Sequence, residues 1–351
     1  MTHLDLERPP LVPFFSVIVP TYQRPASLEK CLAALSQLSY PRDRFEVIVV
    51  NDGDRTLPAT IIEPYQPWIN VQLLHQENTG PAGARNAGAS RARGEFLAFT
   101  DDDCRVLPDW LSQFAQGWQA ISQSSNSQLR HAPGYALGGC TLNALPQNLY
   151  STASQLHGDA VYAYFNQIEG QATFFASCNF SVPRLTYQQL GGFDDRFPIA
   201  AAEDREFCDR WLRAGYAMTY LPAARVHHAH HLTLASFLKQ HFNYGRGAFF
   251  FHQSRQRAIE QNAADPIETD LAFYWHLISY PFQTAAGQWP FHRAFALSSL
   301  FVACNLAKTV GFYWQWFLHL FVSNNFETLP RRSSKSMPSQ STPPKSVSIA
   351  D

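Results

Sequence analysis

Apolar residues come in short blocks along the N-terminal part of the chain, with polar stretches between them. "FFSVIVP" (Phe14 to Pro20) is a β-branched apolar run without a polar face, the pattern of a strand buried on both sides. "ASLEKCLAALSQL" (Ala26 to Leu38) follows, with Leu28, Cys31, Leu32 and Leu35 at helical spacing, which predicts one amphipathic helix. "FEVIVVNDGD" (Phe45 to Asp54) reads as a second buried strand closed by a turn, "INVQLLHQ" (Ile69 to Gln76) as a third and "EFLAFT" (Glu95 to Thr100) as a fourth. Between the last two, "GPAGARNAGASRARG" predicts an Ala-rich helix that opens near Pro81 and is ended by Gly94. Such alternation implies an α/β fold, a mostly parallel sheet flanked by helices on both faces. Ligands bind such sheets beyond the carboxyl ends of the strands.

That rule gathers the polar residues of interest onto one rim. Thr21, Tyr22 and Arg24 follow the first strand, Asn51, Asp52 and Gly53 the second, and Asp101, Asp102 and Asp103 the fourth. No GxGxxG follows the first strand, and Gly80, Gly83 and Gly88 have the wrong spacing, which argues against a dinucleotide cofactor. Adjacent carboxylates repel one another and raise each other's pKa. Either a hard cation such as Mg2+ or Mn2+ sits there, or the triplet is a solvated turn before a helix near "LPDWLSQF" (Leu107 to Phe114). A second acidic pair, Glu203 and Asp204, opens a helix whose apolar positions Phe207, Trp211 and Leu212 share one face. It reads either as plain N-terminal helix stabilisation or as a general base at a cleft.

Composition narrows the setting. The 351 residues are 46% hydrophobic and 16% charged, enough to bury a sizeable core. Lys and Arg number 27 against 28 Asp and Glu, for a net charge of -1, so no global electrostatic footprint argues for nucleic acid, which leaves a local basic site open. Cys31, Cys104, Cys140, Cys178, Cys208 and Cys304 form no CxxC pair, which favours reduced thiols. The start, "MTHLDLERPPLVPFF", is acidic and Pro-rich where a signal peptide needs a basic start and an apolar run. A cytoplasmic protein is expected, peripheral to or anchored at the cytoplasmic face of a membrane if the C-terminal apolar segment attaches.

Five motifs in order, "SVIVPTYQRPASLEKCLAAL", "VIVVNDGD", "NTGPAGARNAGASRARGEFLAFTDDDCRVLPDWL", "GGFDDRF" and "AEDREFCDRWLRAG", resemble the inverting family 2 glycosyltransferases over roughly residues 14 to 250. The resemblance implies the A-type glycosyltransferase fold and transfer of a sugar from a nucleoside-diphosphate sugar to an acceptor hydroxyl, with Mg2+ or Mn2+. It implies a glycan or lipid-linked acceptor of the kind used in cell-envelope polysaccharide or glycolipid synthesis. By the same resemblance Asp52 would bind the nucleobase, with Pro20, Thr21 and Tyr22 as the other wall. Arg24, Arg85 and Asp102 would also meet the nucleotide sugar, Arg85 being otherwise an exposed helix cation. Asp101 and Asp103 would be the outer members of the metal-binding DxD triplet, Asp101 nearer the ribose. Asn51 and Asp54 stand where the family often has Asp and Ser. Asp204 would be the base and Glu203 the runner-up. In "VHHAHH" (Val226 to His231) His228 matches a family histidine that approaches the metal, with His230 second, and Arg246 of "FNYGRG" would meet the diphosphate unless it is structural. A catalytically silent sugar-nucleotide or glycan-binding protein is the alternative, although a binding module has no need of a base.

The implied organisation is an N-terminal extension (1–13), a catalytic domain (14–250) with a nucleotide-sugar half (14–121) and an acceptor half (130–250), a helical region (251–329) and a disordered tail (330–351). "AFALSSLFVACNLAKTVGFYWQWFLHLFV" (Ala294 to Val322) is apolar and aromatic, interrupted by Asn305, Lys308 and His319. Its length suits a bilayer and its aromatics an interface, while Lys308 is costly inside lipid. Membrane contact, a packed helical cap and a dimer surface are all open at this point.

Overall fold

The structure is a computed structural model that describes residues 12–123, 134–166, 171–197, 199–260, 271–284 and 290–322. The expected disordered tail, 330–351, lies outside the described residues. The first half runs β1 (Phe15–Thr21), α1 (Pro25–Leu35), β2 (Phe45–Asp52), β3 (Val71–Gln76), α2 (Gly80–Arg91), β4 (Phe96–Thr100), β5 (Cys104–Val106) and α3 (Trp110–Gln123). The second half adds β6 (Tyr135–Asn143), α4 (Leu149–Phe165), β7 (Asn179–Pro183), α5 (Arg184–Leu190), α6 (Glu203–Arg213) and β8 (Ala217–His228). Three helices follow: α7 (Leu234–Glu260), α8 (Leu271–Thr284) and α9 (Phe291–Val322).

The strands form one eight-stranded sheet in the order β3-β2-β1-β4-β7-β6-β8-β5. Period-2 alternation splits β1 and β2 between two cores. Phe15, Val17, Val19, Phe45, Val47 and Val49 face α1 and α3, where Leu28, Leu32, Trp110 and Phe114 close the layer. Ile18, Ile48 and Val50 face the small residues of α2, with Phe99, Phe180, Phe207 and Trp211. Burying one such aliphatic or aromatic side chain stabilises by roughly 1.5–3 kcal/mol, so the helix that carries Glu203 and Asp204 is fixed to the sheet through Phe207 and Trp211.

The parallel expectation holds for β3-β2-β1-β4 and for β6/β8. Strands β7 and β5 enter antiparallel to their neighbours, giving a mixed sheet. The strand-helix alternation in the sequence ends at Thr100, so nothing upstream carried the direction of these later strands. The β6/β8 register shifts between Gly139 and Cys140, and β8 then pairs with β6 on one side and β5 on the other, His228 lying opposite both Asn143 and Cys104. This brings the "VHHAHH" histidines beside the aspartate triplet. A third core, from Ala153 and Leu156 of α4, Phe237 of α7, Leu277 of α8 and Leu297, Phe301 and Cys304 of α9, fastens the C-terminal helices over the carboxyl side of the sheet.

Candidate active site

At the end of β2, Asn51 and Asp54 close a turn on each other: Asn51 Nδ2 donates to the Asp54 carbonyl at 2.7 Å and Asp54 N donates to Asn51 Oδ1 at 2.9 Å. Gly53 in this turn has φ +95°, and a Cβ there would strike Asn78 N, so only glycine fits. The turn aims Asp52 at the start of α2. Its Oδ1 accepts from Gln76 Nε2 at 2.7 Å and Thr79 N at 2.9 Å, and its Oδ2 from Gly80 N at 2.9 Å. The residue expected at the nucleobase thus also satisfies orphan N–H groups of a helix N-terminus.

The triplet falls in the tight connection between β4 and β5, and its side chains point different ways. Asp101, Asp102 and Asp103 are 25%, 0% and 11% exposed. Asp102 is turned into the fold, where Thr21 Oγ1 donates to it at 2.7 Å and Arg24 Nη2 lies 2.8 Å away. Burial pushes its carboxyl up to about 7 against those partners. Its place is behind Arg24, whose Nη1 also meets Asp103 Oδ2 at 2.7 Å. Asp103 Oδ1 lies 3.3 Å from His228 Nε2. Burial opposes ionisation of Asp103, but the His228 hydrogen bond and charge, then Arg24, hold it well below the usual carboxylate range. Burial would lower His228, yet the Asp103 hydrogen bond and charge raise it to about 9. The His230 ring stacks on His228 with centroids 4.9 Å apart.

Arg85 is 3% exposed, so the exposed-cation reading is corrected. It spans two acidic groups, with Nη2 2.7 Å from Asp101 Oδ1 and Nη1 3.2 Å from Glu203 Oε1. The Ala-rich face of α2 lets this guanidinium sink between the halves of the fold. Asp204 is left without an ion pair among the described residues; its Oδ1 accepts from Arg205 N at 2.8 Å. Burial first, and then the Glu203 charge, push Asp204 up to about 7. Ala202, just before the acidic pair, and Gln23, just before Arg24, are the non-glycine residues with positive φ among those described, at +70° and +55°. Such strain persists where surrounding structure fixes it and clusters at functional sites.

These groups border one cavity of ≈ 1660 Å³. Pro20, Thr21, Tyr22, Arg24 and Asp52 line its sheet end, Arg85, Asp101, His228 and His230 its middle, and Glu203 and Asp204 the wall opposite. Asp103 is reached through Arg24 and His228, and Asp102 lies beneath Arg24. Arg246 is elsewhere: its Nε donates to Gln315 Oε1 of α9 at 2.9 Å, the structural alternative. Sequence reasoning missed the residues that α4, α6 and α7 add to the wall, namely His157, Arg205, His241 and Tyr244. Only Lys308 of α9 carried a signal, as a lone cation in an apolar run.

The donor set decides whether these residues suit a metal. Ligand atoms of Asp103, Cys104 and His228 lie within 4.8 Å of one another. Carboxylate and imidazole suit Mn2+ or Mg2+. The Cys104 thiol does not, since a hydrogen bond with Cys178, then burial, push its pKa far up and only a thiolate would ligate. Asp103 and His228, with Asp101 alongside, fit the cation; His228 would ligate as the neutral imidazole, so binding would release the proton that Asp103 favours.

An open α/β sheet with acidic and basic groups gathered beyond its strand ends defines a ligand-binding crevice of the kind enzymes use. The sequence profile described as "Glycosyl transferase family group 2" matches residues 96–326, and that for "Glycosyl transferase family 2" residues 16–163. The chain belongs to the family 2 glycosyltransferases. It is 26% identical to glycosyltransferase AglE of Haloferax volcanii over 239 residues, 67% of this chain and 73% of that one. It is 28% identical to validoxylamine A glucosyltransferase of Streptomyces hygroscopicus subsp. jinggangensis over 235 residues, 59% of this chain and 53% of that one. The chain thus spans about three quarters of the first relative and about half of the second. The mannosyltransferase PcManGT from Pyrobaculum calidifontis, solved with GDP-Man and Mn2+, shares the fold with a TM-score of 0.56 at 18% identity, over 88% of this chain and 91% of that one.

Proposed function

We propose that this glycosyltransferase moves a sugar from a nucleoside-diphosphate sugar onto an acceptor hydroxyl with inversion at the anomeric carbon, assisted by a divalent cation. The observation that carries the reading is that Asp204, a carboxylate of α6 without an ion pair among the described residues, lines the same cavity as Asp101, Arg24 and His228. Pro20 to Tyr22 and Asp52 are assigned to the nucleobase end, where they meet at the ends of β1 and β2. Asp103 and His228, with Asp101, would hold Mn2+ or Mg2+. When bound, that ion stabilises negative charge growing on the leaving diphosphate. Arg85 keeps Asp101 and Glu203 in place and adds a fixed positive field from below. Asp204 takes the proton of the acceptor hydroxyl as the oxygen attacks the anomeric carbon from the face opposite the diphosphate. PcManGT, with the same fold, was solved with a nucleotide sugar and Mn2+, which agrees with this choice of donor and ion. The catalytic unit is assigned to the sheet and helices through α7, with α8 and α9 as a cap that contacts a membrane.

The test is a panel of nucleoside-diphosphate sugars incubated with purified protein and Mn2+. Slow release of nucleoside diphosphate from one donor is expected, with loss in EDTA. Asp103→Asn is expected to abolish metal-supported nucleotide binding while the thermal transition stays sharp. Full activity in EDTA would remove the metal, and failure of every donor would favour a silent binding protein.

A further inference from the structure

Beyond the donor site, the same cavity continues between α4, α6, α7 and α9, where cations and imidazoles gather and the α4 carboxyl, Asp159, is engaged by Gln155 Nε2 at 2.8 Å. Arg205 follows Asp204 in the first turn of α6, with its guanidinium 4.9 Å from the Phe251 ring centroid and 5.9 Å from that of Phe165. Two aromatic faces hold it as a planar cation, and among the described residues it has no carboxylate partner. Lys308 enters from α9 with Nζ 2.6 Å from His157 Nε2 and likewise has no carboxylate partner among the described residues. Burial lowers it, but only to about 8, so it is still largely cationic at neutral pH. His241 is 1% exposed, and neither ring nitrogen has a hydrogen-bond partner. That absence holds among the described residues, where its ring lies 5.3 Å from that of His157 and 5.4 Å from that of Tyr244. Arg205, Lys308, His157 and His241 all line the cavity.

Arg205 and Lys308 are half-buried, and holding cations partly out of water without counter-ions is unfavourable; an unpartnered buried imidazole adds to that. A ligand that brings negative charge and several acceptor oxygens offsets both. Neutral sugar hydroxyls do not require such a set, whereas a phosphate presents its oxygens to an Arg fork, an ammonium and an imidazole together. We propose that this end of the cavity is a receptor for a phosphate or diphosphate group carried by the acceptor, bound by Arg205 and Lys308 with His241 as a further donor. The proposal rests on the transferase reading for the word acceptor. The anion sits next to the base, apart from the hydroxyl that Asp204 deprotonates.

The test is calorimetric titration of the full chain with inorganic pyrophosphate in EDTA, which silences any metal-dependent donor site. Saturable binding is expected. Lys308→Met and Arg205→Gln are each expected to weaken it by about tenfold or more, as for loss of a hydrogen bond to a charged group. Absence of saturable binding, equal affinity in both variants, or tighter binding of glucuronate than of pyrophosphate would overturn the proposal. If Lys308→Met does not fold by circular dichroism, Arg205→Gln alone decides. Sedimentation with phosphatidylcholine vesicles, with and without phosphatidic acid, separates the sources. Extra retention on phosphatidic acid that Lys308→Met removes supports a lipid-borne phosphate, and equal retention with intact pyrophosphate binding supports a soluble phosphorylated acceptor. Pyrophosphate binding of this kind in a chain that neither binds nor hydrolyses any sugar nucleotide would keep the receptor and remove the transferase reading.

Discussion

Glu203 and Asp204 are neighbours in one helical turn, but their surroundings give them different work. Glu203 is tied to Arg85, which opposes the effect of burial on it, while Asp204 feels burial and the Glu203 charge without a cation of its own. Asp204→Asn is expected to lower transfer by roughly a hundredfold to ten-thousandfold, the usual worth of a general base, with donor affinity little changed in a nucleotide titration. The pH dependence has a definite sign. A carboxyl raised to about 7 is protonated below that pH, so kcat should fall as pH drops through about 7. Glu203→Gln removes a like charge and should move that limb to lower pH; an unmoved limb would mean that another group titrates. That the acidic pair, Asp101 and His228 border one cavity was legible from their types and order along the chain. That Asp102 points inward while Asp101 faces the cavity was not, because turn geometry, not composition, decides it.

Helices α7 and α9 pack backbone against backbone at two glycines. A Cβ on Gly245 would land on the Lys308 carbonyl oxygen, and one on Gly311 on the carbonyl oxygen of Phe242. Alanine ordinarily favours a helix over glycine by about 1 kcal/mol, but here the backbones leave no room and overpacking costs about 1–3 kcal/mol. Gly311→Ala is therefore expected to destabilise the chain, read as a lower urea midpoint at unchanged slope. A stabilised Gly311→Ala would show the helices apart. The contact also fixes Lys308 over His157, so packing of the cap and the charge of the cavity are linked. The sequence marks α9 as apolar but not which of its faces is inward, because both faces are apolar and periodicity then carries no direction. Likewise Arg205 could not be told from a surface cation, since the rings that hold it, Phe165 and Phe251, come from α4 and α7.

Over the whole molecule, the outward faces of α8 and α9 make a continuous choice between partners testable. Along α9, Phe295 is exposed and, from one heptad on, so are Val302, Leu306, Val310, Trp314, Phe317 and Phe321 at three- and four-residue spacing; Tyr274, Trp275, Ile278 and Phe282 are exposed along α8. Helix Phe291–Phe321 is long and apolar enough to cross a membrane by length and composition. Its inner face, however, carries Lys308 and the α7 contact, so the protein side is committed and only the outer stripe is available to lipid. Tyr274 and Tyr313 belong to both the exposed surface and the cavity wall, so a membrane on this stripe would meet the cavity mouth. Exposed apolar area of this extent marks an interaction site, and helices rich in Trp, Phe and Leu suit the lipid boundary. The full chain is expected to sediment with neutral phosphatidylcholine vesicles. Phe295→Glu, Leu306→Glu and Trp314→Glu together should lower the vesicle partition coefficient by about a thousandfold or more, since each apolar side chain contributes roughly 1.5–3 kcal/mol when fully withdrawn from water and about 1.4 kcal/mol is tenfold. These residues are exposed, so the fold and the cavity should survive the change. A monomeric chain absent from the vesicle pellet would return α8 and α9 to the role of a packed cap, and concentration-dependent self-association lost in the same triple variant would assign the stripe to a second copy.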